Sequence, residues 1–476
     1  MSRIRNTSNN PLPFKSSVAG FQFPAVPNAY AQRYTALMYQ WERSQWLSAS
    51  DHRALSFQQL SHLLHAAHLH TPYYKKKLTE AGYDPTRDLD DAAWGDIPLL
   101  SRGDIQTHQS QLGATRYPKA QHPAKKVNSS GSTGRPIEVL TPATKGLIWS
   151  AATLFEHILH GRDFGKKAAA IRVVKDSQIT PEGARSEDWG PPFNKIFKTG
   201  SAAVFDIHQD PEQQADWLIR ENPSFLLLFP SSLEALLPIL QAKEAELPNL
   251  EHFRCVSEQL PDHLRAVVQE QFGRHIVDMY SAQEVGYIAL QCPEHDHYHL
   301  FQDICFTEIL RDDGSPCDPG EVGRVVVTDP HNYVFPLIRY DIGDYAEMGE
   351  PCPCGRGLPV INKIMGRVRN LITLPDGSRH WPMTSSRRFR EIANINQFQL
   401  VQTSLHKIQA KFVCDHPLTT EHRTILTSVI QDRLTYPFDV EICEVSDIPR
   451  GANGKFEEFK SEVTPQMAAE AKAALV

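Results

Sequence analysis

The chain has 476 residues, 22% of them charged, with a formal net charge of -7 at pH 7. That length exceeds one ordinary domain, so two domains are the default. Lys and Arg are scattered without a basic stripe, which argues against a nucleic-acid partner, and the run Lys75-Lys76-Lys77 reads as a solvated helix face. The opening letters Met1 to Thr7 carry no apolar core, and no stretch approaches the roughly 18 apolar residues that span a bilayer. We therefore expect a soluble cytoplasmic protein with no membrane partner.

In chain order, helical patterns run from Tyr30 to Trp46, Leu55 to His68 and Tyr74 to Ala81, forming a lead-in before Pro98-Leu99-Leu100. From about Gly146 to Tyr280, helices alternate with short apolar runs at Ala168 to Val173, Phe225 to Phe229, Phe253 to Ser257 and Ile276 to Tyr280. That rhythm predicts an α/β domain with a mainly parallel sheet and covering helices. The texture then changes: Phe306 to Leu310 and Arg324 to Thr328 flank a turn-rich stretch with Asp313-Gly314 and Pro319-Gly320, which predicts a β subdomain. Beyond Gly366-Arg367, strands near Leu371 to Thr373 and Lys411 to Val413 mix with helices at Ser385 to Ala393 and Thr420 to Leu434, a small α+β domain. The expected division is 1–366 and 367–476. No internal repeat or low-complexity tract is present.

Two segments carry chemistry. Asn128-Ser129-Ser130-Gly131-Ser132-Thr133-Gly134-Arg135-Pro136 offers hydroxyls and unobstructed backbone N–H groups that can surround phosphate oxygens. It lacks the Gly-Lys-Ser/Thr ending of a Walker A loop, and a polar surface turn is the competing reading. Far downstream, Asp447-Ile448-Pro449-Arg450-Gly451-Ala452-Asn453-Gly454-Lys455 places one lysine on a glycine-bearing turn. A cation and a phosphate cradle together suggest ATP chemistry on a carboxylate.

The intervening motifs Tyr280-Ser281-Ala282-Gln283-Glu284, Arg339-Tyr340-Asp341-Ile342-Gly343-Asp344 and Gly366-Arg367 follow one another in the order of the adenylate-forming enzymes, which the chain resembles. The likeness is nearer to phenylacetate-CoA ligases and their relatives. It includes Pro98-Leu99-Leu100-Ser101-Arg102, Gln291-Cys292-Pro293, Cys352-Pro353-Cys354-Gly355-Arg356 and Gly454-Lys455-Phe456, and extends from about Tyr30 onward.

The resemblance implies a large amino-terminal domain binding ATP and an acid, and a small mobile carboxyl-terminal domain carrying Lys455. Carried over by motif position, Ser129, Ser130, Gly131, Ser132, Thr133, Gly134 and Arg135 hold the ATP phosphates and Tyr280 packs on adenine. Glu284 ligates magnesium, Asp344 accepts the ribose hydroxyls, and Arg367 joins the ATP-binding set. Lys455 bridges the attacking carboxylate and the α-phosphate, and the hinge falls at Arg369. Three positions depart from the common pattern: Arg135 where lysine is frequent, Ser281 where glycine is frequent, and Arg369 where an acidic or lysine residue is expected. Arginine still offers phosphate a permanent cation and a fork of donors.

The implied reaction converts a small carboxylic acid, aromatic or arylalkanoic, to acyl-AMP with ATP and Mg2+, then to a thioester with CoA. One alternative passes the acyl group to an amine or a carrier-protein thiol. Another, from a different class, is a catalytically inactive nucleotide-binding interaction protein. The letters leave a homodimer open.

Eight cysteines in so long a chain are too sparse for a disulfide scaffold. Cys292-Pro293-Glu294-His295-Asp296-His297-Tyr298-His299 with Cys352 and Cys354 supplies three sulfurs and nearby imidazoles for tetrahedral zinc. The likeness to relatives points to His299 as the fourth ligand, with His295 and His297 as rivals. A filled shell of this kind implies a structural ion. Cys255, Cys305, Cys317, Cys414 and Cys443 show no grouping and are expected to be ordinary reduced cysteines.

Overall fold

The computed structural model describes residues 14–128, 137–174, 180–367, 371–380, 382, 386–450, 455–464 and 467. It divides into two compact units, 1–364 and 365–476.

The first unit opens with helices α1 (Ala29–Ser44), α2 (Ala49–His70) and α3 (Pro72–Glu80), followed by the short helices α4 (Asp91–Gly95), α5 (Arg102–Thr107) and α6 (Gln109–Leu112). Ser48 caps α2 by accepting from the Asp51 N–H, and Pro72 starts α3 where no intrahelical N–H is needed. The hairpin β1 (Lys125–Asn128) and β2 (Glu138–Thr141) precedes the long helix α7 (Ala143–Leu159). Then come β3 (Ala168–Arg172), β4 (Ala184–Ser186), β5 (Ala202–Asp206), α8 (Pro211–Glu221), β6 (Phe225–Leu228), α9 (Pro230–Ala242), β7 (His252–Cys255), α10 (Asp262–Phe272) and β8 (His275–Ala282).

Strands β5, β3, β6, β7 and β8 are neighbours in that order and pair in parallel. The crossovers β5–α8–β6, β6–α9–β7 and β7–α10–β8 supply the helices that parallel pairing requires. The run Phe225-Leu226-Leu227-Leu228 is apolar throughout because helices cover such a sheet on both faces. One apolar cluster joins this sheet to α8, α9 and α10 through Trp217, Leu218, Leu233, Leu236, Phe253 and Leu264.

The expected β subdomain is built as an extension of that sheet. Strands β9 (Gly286–Gln291), β10 (Tyr298–Leu300), β11 (Phe306–Leu310), β12 (Val322–Thr328), β13 (Tyr340–Met348) and β14 (Val360–Arg367) continue it. Among the described residues the order is β11-β12-β13-β14-β10-β9-β8-β7-β6-β3-β5-β4, twelve strands in one sheet. The direction changes at β8, which pairs in parallel with β7 and antiparallel with β9.

The second unit holds the pair β15 (Ile372–Thr373) and β16 (Arg379–His380), then α11 (Ser386–Ala393), β17 (Ile395–Gln402), β18 (Lys407–Cys414), α12 (Thr420–Leu434), β19 (Asp439–Glu444) and β20 (Phe459–Ser461). Its four-stranded sheet runs β19-β18-β17-β20. Phe389, Phe398, Phe412, Leu426 and Ile430 fill the space between that sheet and its helices. Among the described residues, no helix is long and apolar enough to cross a membrane.

Candidate active site and cysteine–histidine cluster

The point where the sheet changes direction concentrates the motif residues of the first unit. Tyr280 lies near the end of β8 and Glu284 in the three-residue turn between β8 and β9. Asp344 comes from β13, yet the Tyr280 hydroxyl donates to its Oδ2 at 2.6 Å. Both residues are 8% exposed, and Glu284 is 5% exposed. Two residues chosen from motifs 64 positions apart therefore touch.

The Arg339-to-Asp344 motif is held by its first residue. Arg339 has φ +46°, and its Nη1 donates to the carbonyls of Gly95 at 2.8 Å and Ile97 at 2.7 Å. Its other nitrogens reach Glu308, with Nη2 at 3.1 Å from Oε1. The Leu100 N–H donates to the Arg339 carbonyl and the Asp341 N–H donates to that of Leu100, tying Pro98-Leu99-Leu100 alongside β13. Asp341 Oδ1 then accepts from the Gly343 N–H, at a position where φ of +83° suits glycine. One arginine thus fixes the approach to Asp344 by filling the donor capacity of a rigid fork.

Two residues before Tyr280 on the same strand β8 lies a buried carboxyl, Asp278. Burial pushes its pKa up to about 6, opposed by the Tyr298 hydroxyl, which donates to Oδ2 at 2.7 Å. Its Oδ1 has no side-chain or backbone partner among the described residues. Nothing in the sequence distinguished Asp278 from a strand-edge carboxylate.

Lys455 lies in the second unit and is half-buried. The stems of its loop are pinned by two glutamines on one face of β17. Gln397 Nε2 donates to the Ile448 carbonyl at 3.1 Å, and Gln399 Nε2 donates to the Glu457 carbonyl at 2.9 Å. The i, i+2 spacing of a strand puts both on the same side. That alternation could have flagged them, but the partner carbonyls are more than 50 positions away. Arg367 ends β14. Ser129 to Arg135, expected to hold the phosphates, and Arg369, expected at the hinge, lie outside the described residues.

Phe229-Pro230-Ser231-Ser232 opens α9, and the Ser231 N–H donates to Glu258 Oε2 at 3.0 Å.

The cysteine–histidine cluster assembles where β9, β10 and the 352–354 turn meet. Cys292, His297, His299 and Cys352 place one ligand atom each within 4.8 Å of all the others. Cys354 adjoins them, with Sγ 3.5 Å from His299 Nε2. Two thiolates bound to one tetrahedral zinc lie about 3.8 Å apart and a thiolate and imidazole about 3.6 Å, given bonds of about 2.3 and 2.0 Å. Cys292 and Cys352 are 3.8 Å apart, so that pair and Cys354–His299 both have co-ligand spacing. His297 Nε2 is only 2.9 Å from Cys352 Sγ, a hydrogen-bond separation too short for two ligands of one ion. His297 and His299 share a side because they are two positions apart on extended chain, while Tyr298 turns away to Asp278. His295 stacks on His297 and is outside the cluster.

This geometry can be set beside known proteins. The CapK C-terminal domain family matches residues 375–462. The crystal structure of a 2-hydroxyisobutyryl-CoA ligase in the postadenylation state with 2-HIB-AMP superposes with a TM-score of 0.68, covering 91% of this chain and 93% of that one at 17% identity. An anthranilate CoA ligase bound to anthranoyl-AMP covers 81% of this chain and 76% of its own at a TM-score of 0.50 and 16% identity. The fold is that of the adenylate-forming CoA ligases: a large α/β domain with a mixed sheet and a small carboxyl-terminal domain. In sequence, the chain is a distant relative of the phenylacetate-coenzyme A ligase of Thermus thermophilus, 24% identical over 332 residues, or 68% of this chain and 72% of the relative.

Proposed function

We propose that this protein is an ATP-dependent acid–CoA ligase that forms an acyl-AMP and then a thioester. A carboxylate oxygen of the acid attacks the α-phosphorus, the bond to pyrophosphate breaks, and a mixed anhydride with AMP results. The CoA sulfur then attacks the acyl carbon, its proton passes to solvent, and AMP leaves. The acid is aromatic or arylalkanoic on this reading, which the relationship to a phenylacetate-CoA ligase supports.

The observation that carries the reading is the meeting of Tyr280 and Asp344 beside the Glu284 turn. Adenine packs on Tyr280, and the ribose hydroxyls donate to Asp344, a buried acceptor-only carboxylate. Ser129 to Arg135 hold the phosphates, with Arg367 contributing to the nucleotide site. Glu284 holds a magnesium ion, which supplies charge neutralisation on the polyphosphate. Lys455 sets its ammonium between the attacking carboxylate and the α-phosphate. Like charges at about 4 Å repel by roughly 4 kcal/mol at an intermediate effective dielectric, so one ammonium there is worth several powers of ten in rate. The carboxyl-terminal unit then turns about the segment containing Arg369, withdrawing Lys455 and admitting the thiol.

Cys292, His299, Cys352 and Cys354 hold a structural zinc in this account, with His297 donating to the Cys352 sulfur from outside the shell. Two pair spacings that match tetrahedral co-ligands support that choice.

The test is acid-dependent pyrophosphate release over a panel of acids, with CoA, amines and water as acceptors and products weighed by mass spectrometry. Release with arylacetates and benzoates, ending in an acyl-CoA, is expected. Nucleotide binding without pyrophosphate release from any acid would overturn the reading.

A further inference from the structure

Two glutamines on one strand of the second unit reach the backbone on either side of Lys455. Gln397 and Gln399 alternate along β17 with Phe398 and Leu400, whose side chains enter the apolar cluster of Phe412, Leu426 and Ile430. The glutamines therefore point to the opposite face of the sheet, where their cross-strand neighbours are Val413 and Lys411. Gln397 forms a two-way pair with Ile448: Nε2 donates to its carbonyl at 3.1 Å, and Oε1 accepts from its N–H at 3.3 Å. Gln399 Nε2 donates to the Glu457 carbonyl at 2.9 Å. Between these two attachments the Arg450 guanidinium lies over the Phe456 ring, 5.9 Å from its centroid. Lys455 is the residue just before that ring.

Strand pairing alone does not hold this segment. The Leu400 N–H donates to the Glu458 carbonyl at 2.8 Å, and β20 runs parallel to β17 from Phe459 onward, both beyond Lys455. Gln399 extends the attachment back to Glu457, and Gln397 anchors the incoming chain at Ile448, so the lysine is held from both sides. A group that acts on a reacting centre needs such placement, since a displacement of about 1 Å can cost about a hundredfold in rate. Because neither glutamine enters the apolar cluster, removing their amides leaves the core of the unit intact.

We propose that Gln397 and Gln399 are positioning residues for Lys455: they set where its ammonium reaches during acyl-AMP formation and have no part in the thioester step, from which that ammonium is withdrawn. This inference rests on the reading of Lys455 as the lysine of adenylation. Its signature is dependence on the amine, since residues that act through one group lose their effect once that group is gone. Gln397→Met/Gln399→Met keeps side-chain length and removes both amides; it slows acyl-AMP formation about tenfold or more in the parent, but by under about twofold in a Lys455→Ala background. Thioester formation from supplied acyl-AMP stays within about twofold of the parent. Gln409→Met, a change on the same face of the sheet opposite Val401, leaves both steps at the parental rate.

The experiment is single-turnover rapid quench of the full chain with ATP, Mg2+ and phenylacetate, or the panel acid that releases pyrophosphate fastest. It is run on the parent, the glutamine double variant, Lys455→Ala and their combination, the slow variants being followed to longer times. The matching synthetic acyl-AMP with CoA reports the second step, and thermal unfolding establishes that each variant is folded. Where the double variant does not fold, Gln399→Met alone carries the test, with about threefold slowing expected in the parent and none in the Lys455→Ala background. Equal slowing with and without Lys455, equal loss in both steps, or no loss, in a protein whose adenylation Lys455→Ala cripples, would overturn the positioning inference alone. Adenylate formation by Lys455→Ala at the parental rate would overturn both it and the assignment of Lys455.

Discussion

Helix α7 is clamped near its carboxyl end by a fully buried carboxylate. Glu156 is 0% exposed; Oε1 accepts from Arg162 Nη1 at 2.7 Å and Oε2 from Arg254 Nη2 at 2.8 Å. Burial alone would raise the Glu156 pKa, but the guanidiniums of Arg162 and Arg254 hold it well below the usual carboxylate range. Arg162 Nε and Nη2 find no protein partner among the described residues, so Glu156 supplies most of the compensation that Arg162 receives. Glu156→Gln keeps the shape and removes the charge, leaving two buried cations facing each other. Removing one partner of a buried pair costs about 3–5 kcal/mol. At the midpoint of that range the folding equilibrium shifts about a thousandfold. Urea unfolding at pH 7, followed by tryptophan fluorescence, measures it. The exposed Lys166–Glu251 pair supplies the comparison, since Glu251→Gln should cost under about 1 kcal/mol. A Glu156→Gln variant within 1 kcal/mol of the parent would refute the argument that this carboxylate holds α7 on the sheet.

Asp278 gives a pH signature. Its folded pKa, raised to about 6 from 3.8, means that the folded state binds the extra proton between those values. The ionised form therefore destabilises the fold above about pH 6, and the penalty fades as pH falls toward 4. Asp278→Asn should exceed the parent in stability by about 1–3 kcal/mol at pH 7.5, and urea midpoints should converge only below about pH 4; a gap independent of pH would contradict this. For the metal, one zinc per chain is expected by plasma emission after removal of adventitious ions, and Cys352→Ser should abolish it. His297→Ala should retain the ion with weakened affinity; complete loss with His297→Ala and retention with Cys354→Ser would reverse the assignment of the fourth ligand.

Much of the fold was legible because local chemistry and tertiary role agree. The run Phe225 to Leu228 is apolar at every position, as a strand covered on both faces must be, and the structure makes it β6. The helices expected at Leu55 to His68 and Tyr74 to Ala81 are present but begin earlier, at Ala49 after the Ser48 cap and at Pro72. What periodicity could not carry was pairing: the switch from parallel to antiparallel partners at β8 depends on contacts between distant segments. The same holds at the site. Tyr280, Glu284 and Asp344 were singled out by motif, but the 2.6 Å contact across 64 positions is a tertiary fact. Gln397 and Gln399 escaped altogether, because glutamines alternating along a strand read as its solvated face and the carbonyls they reach lie 51 and 58 positions away. In the cysteine cluster, residue types were plain, whereas the roles of His297 and His299 turn on distances of a few tenths of an ångström.

The most direct measurement is single-turnover formation of acyl-AMP by Lys455→Ala, with ATP and a substrate acid saturating and the adenylate quantified by rapid quench. The rate should fall by three or more powers of ten, equivalent to about 4 kcal/mol, while binding of ATP changes less than tenfold. Adenylate formation at the parental rate would contradict the role given to that ammonium.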